Sequence, residues 1–192
     1  MEYVMSSIAI LYHSGYGHTA AVAKAVAEGA AQVADTQVHL VPIEEFEAHQ
    51  PQIDAAQAII FGSPTYMGAV SGPFKTFMDA TAKIWYGRGW QDKLAAGFTV
   101  SASQSGDKLA TLQQLSVFAA QHGMVWVSLG LLPGNNNSKG SVNDLNRLGS
   151  FLGAMAQANA DEGAEATPPQ SDRDTAAHLG RRVAEAAQRW KR

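Results

Sequence analysis

Apolar positions along the chain alternate between short continuous runs and longer stripes at helical spacing. Ile8-Ala9-Ile10-Leu11-Tyr12 is such a run, closed by polar and glycine residues, which is the pattern of a strand covered on both faces. From about Thr19 to Ala34, Val22, Val26, Ala30 and Val33 repeat on one stripe and predict a helix. Gln37–Val41 and Ala58–Phe61 predict the second and third strands, the latter closed by Gly62-Ser63-Pro64. A helix is expected over Gly72 to Ala82, with Pro73 in its first turn and Phe74, Phe77 and Met78 facing inward. Ala95–Ala102 predicts a fourth strand, Asp107–Gln121 a helix stopped by Gly123, and Met124–Leu129 a fifth strand.

Strands alternating with helices imply an α/β fold, a doubly wound parallel sheet with helices on both faces. Ligands of such sheets bind beyond the carboxyl ends of the strands. The loops of interest are therefore 13–19, 62–71 and 100–107, all rich in small polar residues. The stretch from Leu132 through Asn135-Asn136-Asn137 to Gly140 is long and irregular, as functional lids are. Gln157–Ser171 reads as a flexible surface linker. From Arg173 a last helix is expected, with Leu179, Val183, Ala187 and Trp190 on one stripe. Residues 1–192 are expected to form a single domain, in which Met5 offers an alternative start that would leave residues 1–4 dispensable.

Composition narrows the chemistry. The 192 residues include no cysteine, which excludes disulfides, thiolate metal sites, iron–sulfur clusters and thiol nucleophiles. The histidines show no metal-ligand spacing, so no metal is expected. A net charge of -3 with both signs scattered gives no reason to expect nucleic acid. Arg181, Arg182, Arg189, Lys191 and Arg192 are cations near a helix C-terminus, where the dipole favours them. No leader-like or bilayer-length apolar segment is visible, so a cytoplasmic protein independent of membranes is expected.

Ser14-Gly15-Tyr16-Gly17-His18-Thr19 joins the first strand to the first helix, and a helix start preceded by glycines offers unpaired amides to an anion. A nucleotide-hydrolysing loop of the Gly-Lys-Ser/Thr kind is excluded, because His18 follows Gly17. Gly15 to Ala20 satisfies G-x-G-x-x-A, but the acid expected about 20 residues on falls at Asp35, at the wrong end of the second strand; Glu44 and Glu45 come late. A mononucleotide loop lined by hydroxyls is the third option. It requires two further loops to grip a flat ring, and Gly62–Gly68 and Val100–Gly106 supply them.

With those residues in place the chain resembles the flavodoxin-like family, and more closely NAD(P)H:quinone oxidoreductases of the tryptophan-repressor-binding-protein (WrbA) type. The resemblance is carried by Tyr12–His18, Ile59–Asp79, Trp85, Lys93-Leu94-Ala95 and His122-Gly123-Met124-Val125. It covers roughly residues 7–132 and returns loosely in the last helix. It implies a five-stranded sheet of order 2-1-3-4-5, noncovalent FMN, and two-electron transfer from NAD(P)H to a quinone without a catalytic side chain. It maps the cofactor site onto Ser14, Gly15, Tyr16, Gly17, His18 and Thr19; Pro64, Thr65, Tyr66, Met67 and Gly68; Val100, Ser101, Ala102, Ser103, Gln104 and Ser105; and Gln121, which stands where the family has the first of two histidines. Tyr16 falls near the nicotinamide nucleotide and Trp85 walls the acceptor, often across a subunit boundary in a homo-oligomer (dimer or tetramer). The other function class left open is a flavodoxin-type electron carrier, and a third is a flavin-free scaffold.

Overall fold

A computed structural model describes residues 5–190; the possible extension 1–4 and the basic pair Lys191 and Arg192 lie outside the described residues. The order is β1 (Ser6–Tyr12), α1 (His18–Ala31), β2 (Thr36–Pro42), a 3₁₀ turn (Ile43–Glu45), α2 (Phe46–Ala55), β3 (Ala58–Tyr66), β4 (Ala69–Val70), α3 (Gly72–Ala80) and α4 (Ala82–Tyr86). There follow β5 (Leu94–Ser101), α5 (Lys108–Gln121), β6 (Val125–Trp126), β7 (Ala154–Gln157) and α6 (Gln170–Arg189). The main sheet is parallel in the order β2-β1-β3-β5-β6, which is the expected 2-1-3-4-5 arrangement.

Period-two alternation assigns the two faces. Ile8 and Ile10 point into a core with Val22 and Val26 of α1 and Leu179 and Val183 of α6. Ala9 and Leu11 point the other way, into an aromatic core with Phe61, Phe74, Phe77, Trp90 and Phe118. On the first face the helices touch backbone to backbone: a Cβ on Gly29 would lie 1.8 Å from the Ala177 carbonyl oxygen, and one on Gly180 would lie 1.9 Å from that of Val26. Only hydrogen at both positions permits that approach.

Four expectations need correction. Gly62-Ser63-Pro64 does not close the third strand, which runs on to Tyr66 and turns back as β4, a short antiparallel hairpin. The fifth strand is not continuous over Met124–Leu129: only Val125 and Trp126 pair with β5, and the outer edge is completed by β7 against Phe98–Ser101. Residues 157–171 lie at the surface for most of their length but are anchored at both ends, because Ala158, Thr167 and Ser171 are buried and α6 begins at Gln170. Trp190 falls outside the α6 core stripe; it is 42% exposed, and its indole N–H donates to the Asp92 carbonyl.

α2 has no counterpart among the predicted elements, since Pro51 interrupts its helical pattern. A parallel connection from β2 to β3 still needs a crossover of about a dozen residues, and α2 fills it. It buries Phe46 and Ile53.

Candidate functional site

Because β1, β3, β5 and β7 run in register and in the same direction, their carboxyl ends bring four segments together. Between them lies a cleft of about 670 Å³. Its lining comes from the first loop (Tyr16, His18, Thr19), the second (Pro64, Thr65, Tyr66, Met67, Gly68), the third (Val100, Ser101, Ala102, Ser103, Gly106, Asp107) and the segment after β7 (Ala158, Ala160). The cleft opens beside β1 and β3, the point where strand order reverses.

In the first loop, Gly17 caps α1 with φ of 89°, a left-handed conformation that favours glycine. Among the described residues the amides of Gly15 to Thr19 have no protein acceptor, so the start of α1 presents a row of free donors. The Ser14 hydroxyl accepts from the Ala20 amide at 3.1 Å, which leaves its own proton free to donate. Thr19 is 2% exposed and reaches the cleft wall. Among the described residues Asp107 is the sole formally charged one in the lining and no Lys or Arg lines the cleft, so any anion here meets amides, hydroxyls and the helix dipole.

The loops are tied to one another beneath the cleft. His13 donates its backbone N–H to the Gly62 carbonyl and pairs its Nδ1 with Ser71 Oγ at 2.8 Å. Ser71 in turn donates its amide to Ser63 Oγ and caps α3 by accepting from the Phe74 amide. Thr65 Oγ1 lies 2.8 Å from both Thr99 Oγ1 and Thr111 Oγ1, joining β3, β5 and α5 through buried hydroxyls. Tyr66 meets Tyr16 edge-on with ring centroids 6.4 Å apart. Burial, and after it Tyr16, pushes the Tyr66 phenol up, so it remains a neutral donor at neutral pH. His18 Nε2 reaches the Glu162 carbonyl at 2.8 Å, which draws the segment after β7 over the first loop.

Gln104 and Ser105 belong to the third loop but face another cavity, behind it, lined also by Lys108, Arg147 and Met155. Trp85 and Gln121 are not brought to the cleft. They line a separate groove of about 720 Å³ between α3, α4 and α5, with Met78, Val117, Phe118 and His122. His122 sits at its base, its ring tilted against Trp90 with centroids 4.7 Å apart and its Nε2 3.0 Å from Thr81 Oγ1. Burial lowers the His122 pKa. Its Nδ1 is buried without a hydrogen-bond partner among the described residues. Asp35 precedes β2, at the edge of the sheet opposite the cleft, which removes the dinucleotide reading of the first loop.

Several cleft residues had no signal in the sequence. Ala158 and Ala160 lie in a stretch whose composition reads as a linker, and His13, Thr99 and Thr111 act on the loops only through tertiary contacts. Asp107 and Gly106 were within reach, since the third loop ends in them. Among the described residues no cluster of three or more His, Cys, Asp or Glu side chains could hold a metal, and no helix is long and apolar enough to cross a membrane. Arg181, Arg182 and Arg189 are engaged by Gln32, the Ser128 carbonyl and Glu185.

Residues 8–137 match the family model described as NADPH-dependent FMN reductase. The chain is 46% identical to flavodoxin FldP of Pseudomonas aeruginosa, over 96% of this chain and 98% of that one. It is 33% identical to an NAD(P)H dehydrogenase (quinone) of Archaeoglobus fulgidus, over 96% and 99%. The crystal structure of a flavodoxin, WrbA-like protein from Agrobacterium tumefaciens superimposes with a TM-score of 0.74 at 42% identity, covering 97% of this chain and 99% of that one. An amide-lined cleft at the strand-order switch, together with likeness along nearly the whole chain, gives the assignment: this chain belongs to the NADPH-dependent FMN reductase family of flavodoxin-like oxidoreductases, on its WrbA-like side.

Proposed function

We propose that the strand-end cleft binds FMN and that the protein uses it to pass two electrons from NAD(P)H to a quinone or similar acceptor. The observation that carries the reading is the convergence of three loops on one cleft whose first wall is a row of free amides at a helix start. Those donors, with Ser14 and Thr19, fit a phosphate. A Cβ on Gly15 would sit 2.8 Å from the Tyr66 hydroxyl, so this glycine keeps the first and second loops close enough to hold one ligand.

FMN would supply hydride acceptance and donation. The chain's part is to bind, orient and shield. Gly15 to Thr19 hold the phosphate, Pro64 to Gly68 and Val100 to Ser103 face the ring, and Tyr16, at 80% exposure, stands where a nicotinamide nucleotide would approach. Trp85 and Gln121 lie apart from that cleft within one chain, and we assign Trp85 to the acceptor side of a second copy's cleft in a homo-oligomer. A cytoplasmic location accompanies this reading.

The relative named flavodoxin at 46% identity favours a second reading, an electron carrier without nucleotide oxidation of its own. Following NADH and NADPH oxidation with benzoquinone as acceptor separates the two. Turnover with at least one nucleotide supports the reductase; flavin binding with no turnover of either assigns the carrier.

A further inference from the structure

Lys108 is the first residue of α5, and its side chain is 1% exposed. Burial and the positive end of the helix dipole both oppose a charge there. Its Nζ nevertheless meets three acceptors: Ser101 Oγ at 2.8 Å, the Ser103 carbonyl at 2.8 Å and the Gln104 carbonyl at 2.9 Å. An ammonium has three protons to donate, so this set suits the charged form. A neutral amine has only two and would release one acceptor.

The charged groups around it come from three places. Asp107 precedes it, Arg147 belongs to the insertion between β6 and β7, and Asp172 belongs to α6. Arg147 and Asp172 are spent largely on each other, through Nε and a terminal nitrogen at 2.7 and 2.8 Å. Asp172 also accepts the Gln157 amide, and the Gln157 side chain donates to the Ala102 carbonyl, so the loop is held from the side as well as from below. Burial lowers the Lys108 pKa to about 8, with Asp172 opposing that shift and Arg147 adding to it.

Ser101 and Ser103 line the cleft and are also held from behind by the ammonium. In a trans peptide the carbonyl and the following N–H point in opposite directions. Carbonyls of Ser103 and Gln104 turned to Lys108 therefore turn the amides of Gln104 and Ser105 away from it, so these two amides report whether the ammonium holds the loop.

We propose that the buried Lys108 ammonium is the positioning group of the third loop: by holding Ser101 Oγ and the Ser103 and Gln104 carbonyls from behind, it fixes the wall formed by Ser101 and Ser103 against a bound flavin ring. The inference rests on the FMN reading above. It sets a cation behind a wall whose lining carries the Asp107 carboxylate. Loss of the lysine's proton releases the loop, so the grip on the cofactor weakens in mildly alkaline solution.

The loop is tested without ligand and with it. In the apo-protein, the Gln104 and Ser105 amide resonances are expected to titrate together with a midpoint near 8, and to lose that titration in Lys108→Met. Amides that stay fixed across this range in the wild type overturn the proposal. In FMN titrations followed by fluorescence quenching, the wild-type Kd is expected to rise about tenfold between about pH 7 and 9, the scale of one charge-assisted hydrogen bond. Lys108→Met binds weakly at both values, and Lys108→Arg, whose charge does not titrate, keeps one affinity throughout. Equal affinity and equal pH dependence in wild type and Lys108→Met reject it. Should Lys108→Met fail to fold, the contrast between wild type and Lys108→Arg decides. Absence of FMN binding by the wild type at every pH rejects the cofactor reading instead, and the apo amide titration still decides whether the ammonium sets the loop.

Discussion

The strand-end cleft and the groove between α3, α4 and α5 are similar in size, about 670 and 720 Å³, and opposite in construction. Loops make the cleft; amides and hydroxyls line it, and hydrogen bonds from His13, Ser71, Thr65 and Lys108 fix the loops from behind. Helix faces make the groove, where Trp85, Met78 and Val117 cover a base formed by Phe118 and His122. The resemblance seen in the sequence joins residues of both into one site, yet a single chain keeps them apart. On the function proposed above, the difference teaches that the cofactor half of the site is complete in one chain, while the acceptor half depends on what the groove faces.

The largest effect is expected from Gly17→Val. A β-branched side chain at φ of 89° is strained, and its Cβ would lie 3.2 Å from that of Ala164. FMN affinity should fall by about 100-fold or more while thermal unfolding shifts by only a few degrees, roughly the cost of one strained residue. A fall in affinity no larger than that of a surface substitution would remove the first loop from the site. The paired change Ser14→Ala/Thr19→Ala removes two hydroxyls and leaves the amides, so a loss of about tenfold is expected on the scale of ordinary hydrogen bonds. Unchanged flavin retention on dilution would show that the hydroxyls serve only the fold.

Trp85→Ala sharpens the comparison from the other side. FMN affinity should stay within about twofold, since Trp85 does not line the cleft, while quinone turnover per bound flavin drops by about tenfold. Equal losses in binding and turnover would place Trp85 against the flavin itself.

The smallest effect belongs to the groove's base. The His122 pKa is lowered in the folded chain, so the unfolded chain takes up the proton first, and this group's contribution to stability is lost as pH falls through the ordinary histidine value of about 6.5. Urea midpoints at about pH 7.5 and 5.5 should differ less in His122→Gln than in the wild type, with FMN affinity unaffected at either pH. A variant as acid-sensitive as the wild type would locate the acid response elsewhere, for instance at His39 or His178, whose pKa values burial also lowers.

How much of this was legible in the sequence follows from where the determining contacts lie. Ile8 to Tyr12 and the loop after it announce themselves, because a strand covered on both faces must be apolar without a break and a helix start near an anion needs glycine. The outer edge of the sheet was not legible. Met124 to Leu129 is apolar enough for a strand, but after Trp126 the chain leaves β5 and returns as Ala154–Gln157, whose small residues pack beside Phe98 and carry no strand propensity of their own. α2 was masked by Pro51, and nothing in the sequence marks Lys108. Its role appears only when the third loop folds back over it, because all three of its acceptors lie four to seven positions before it, across a turn.

The central claim is that the strand-end cleft takes up a flavin by its phosphate through neutral amides and hydroxyls. Parallel equilibrium titrations of the apo-protein with FMN and with riboflavin, each at low and high salt, test it most directly. The account predicts that FMN binds at least about 100-fold more tightly than riboflavin, the sum of several amide–phosphate hydrogen bonds, and that salt changes the FMN affinity little, since among the described residues no lysine or arginine lines the cleft. Equal affinity for the two flavins, or an FMN affinity that collapses at high salt, would contradict it.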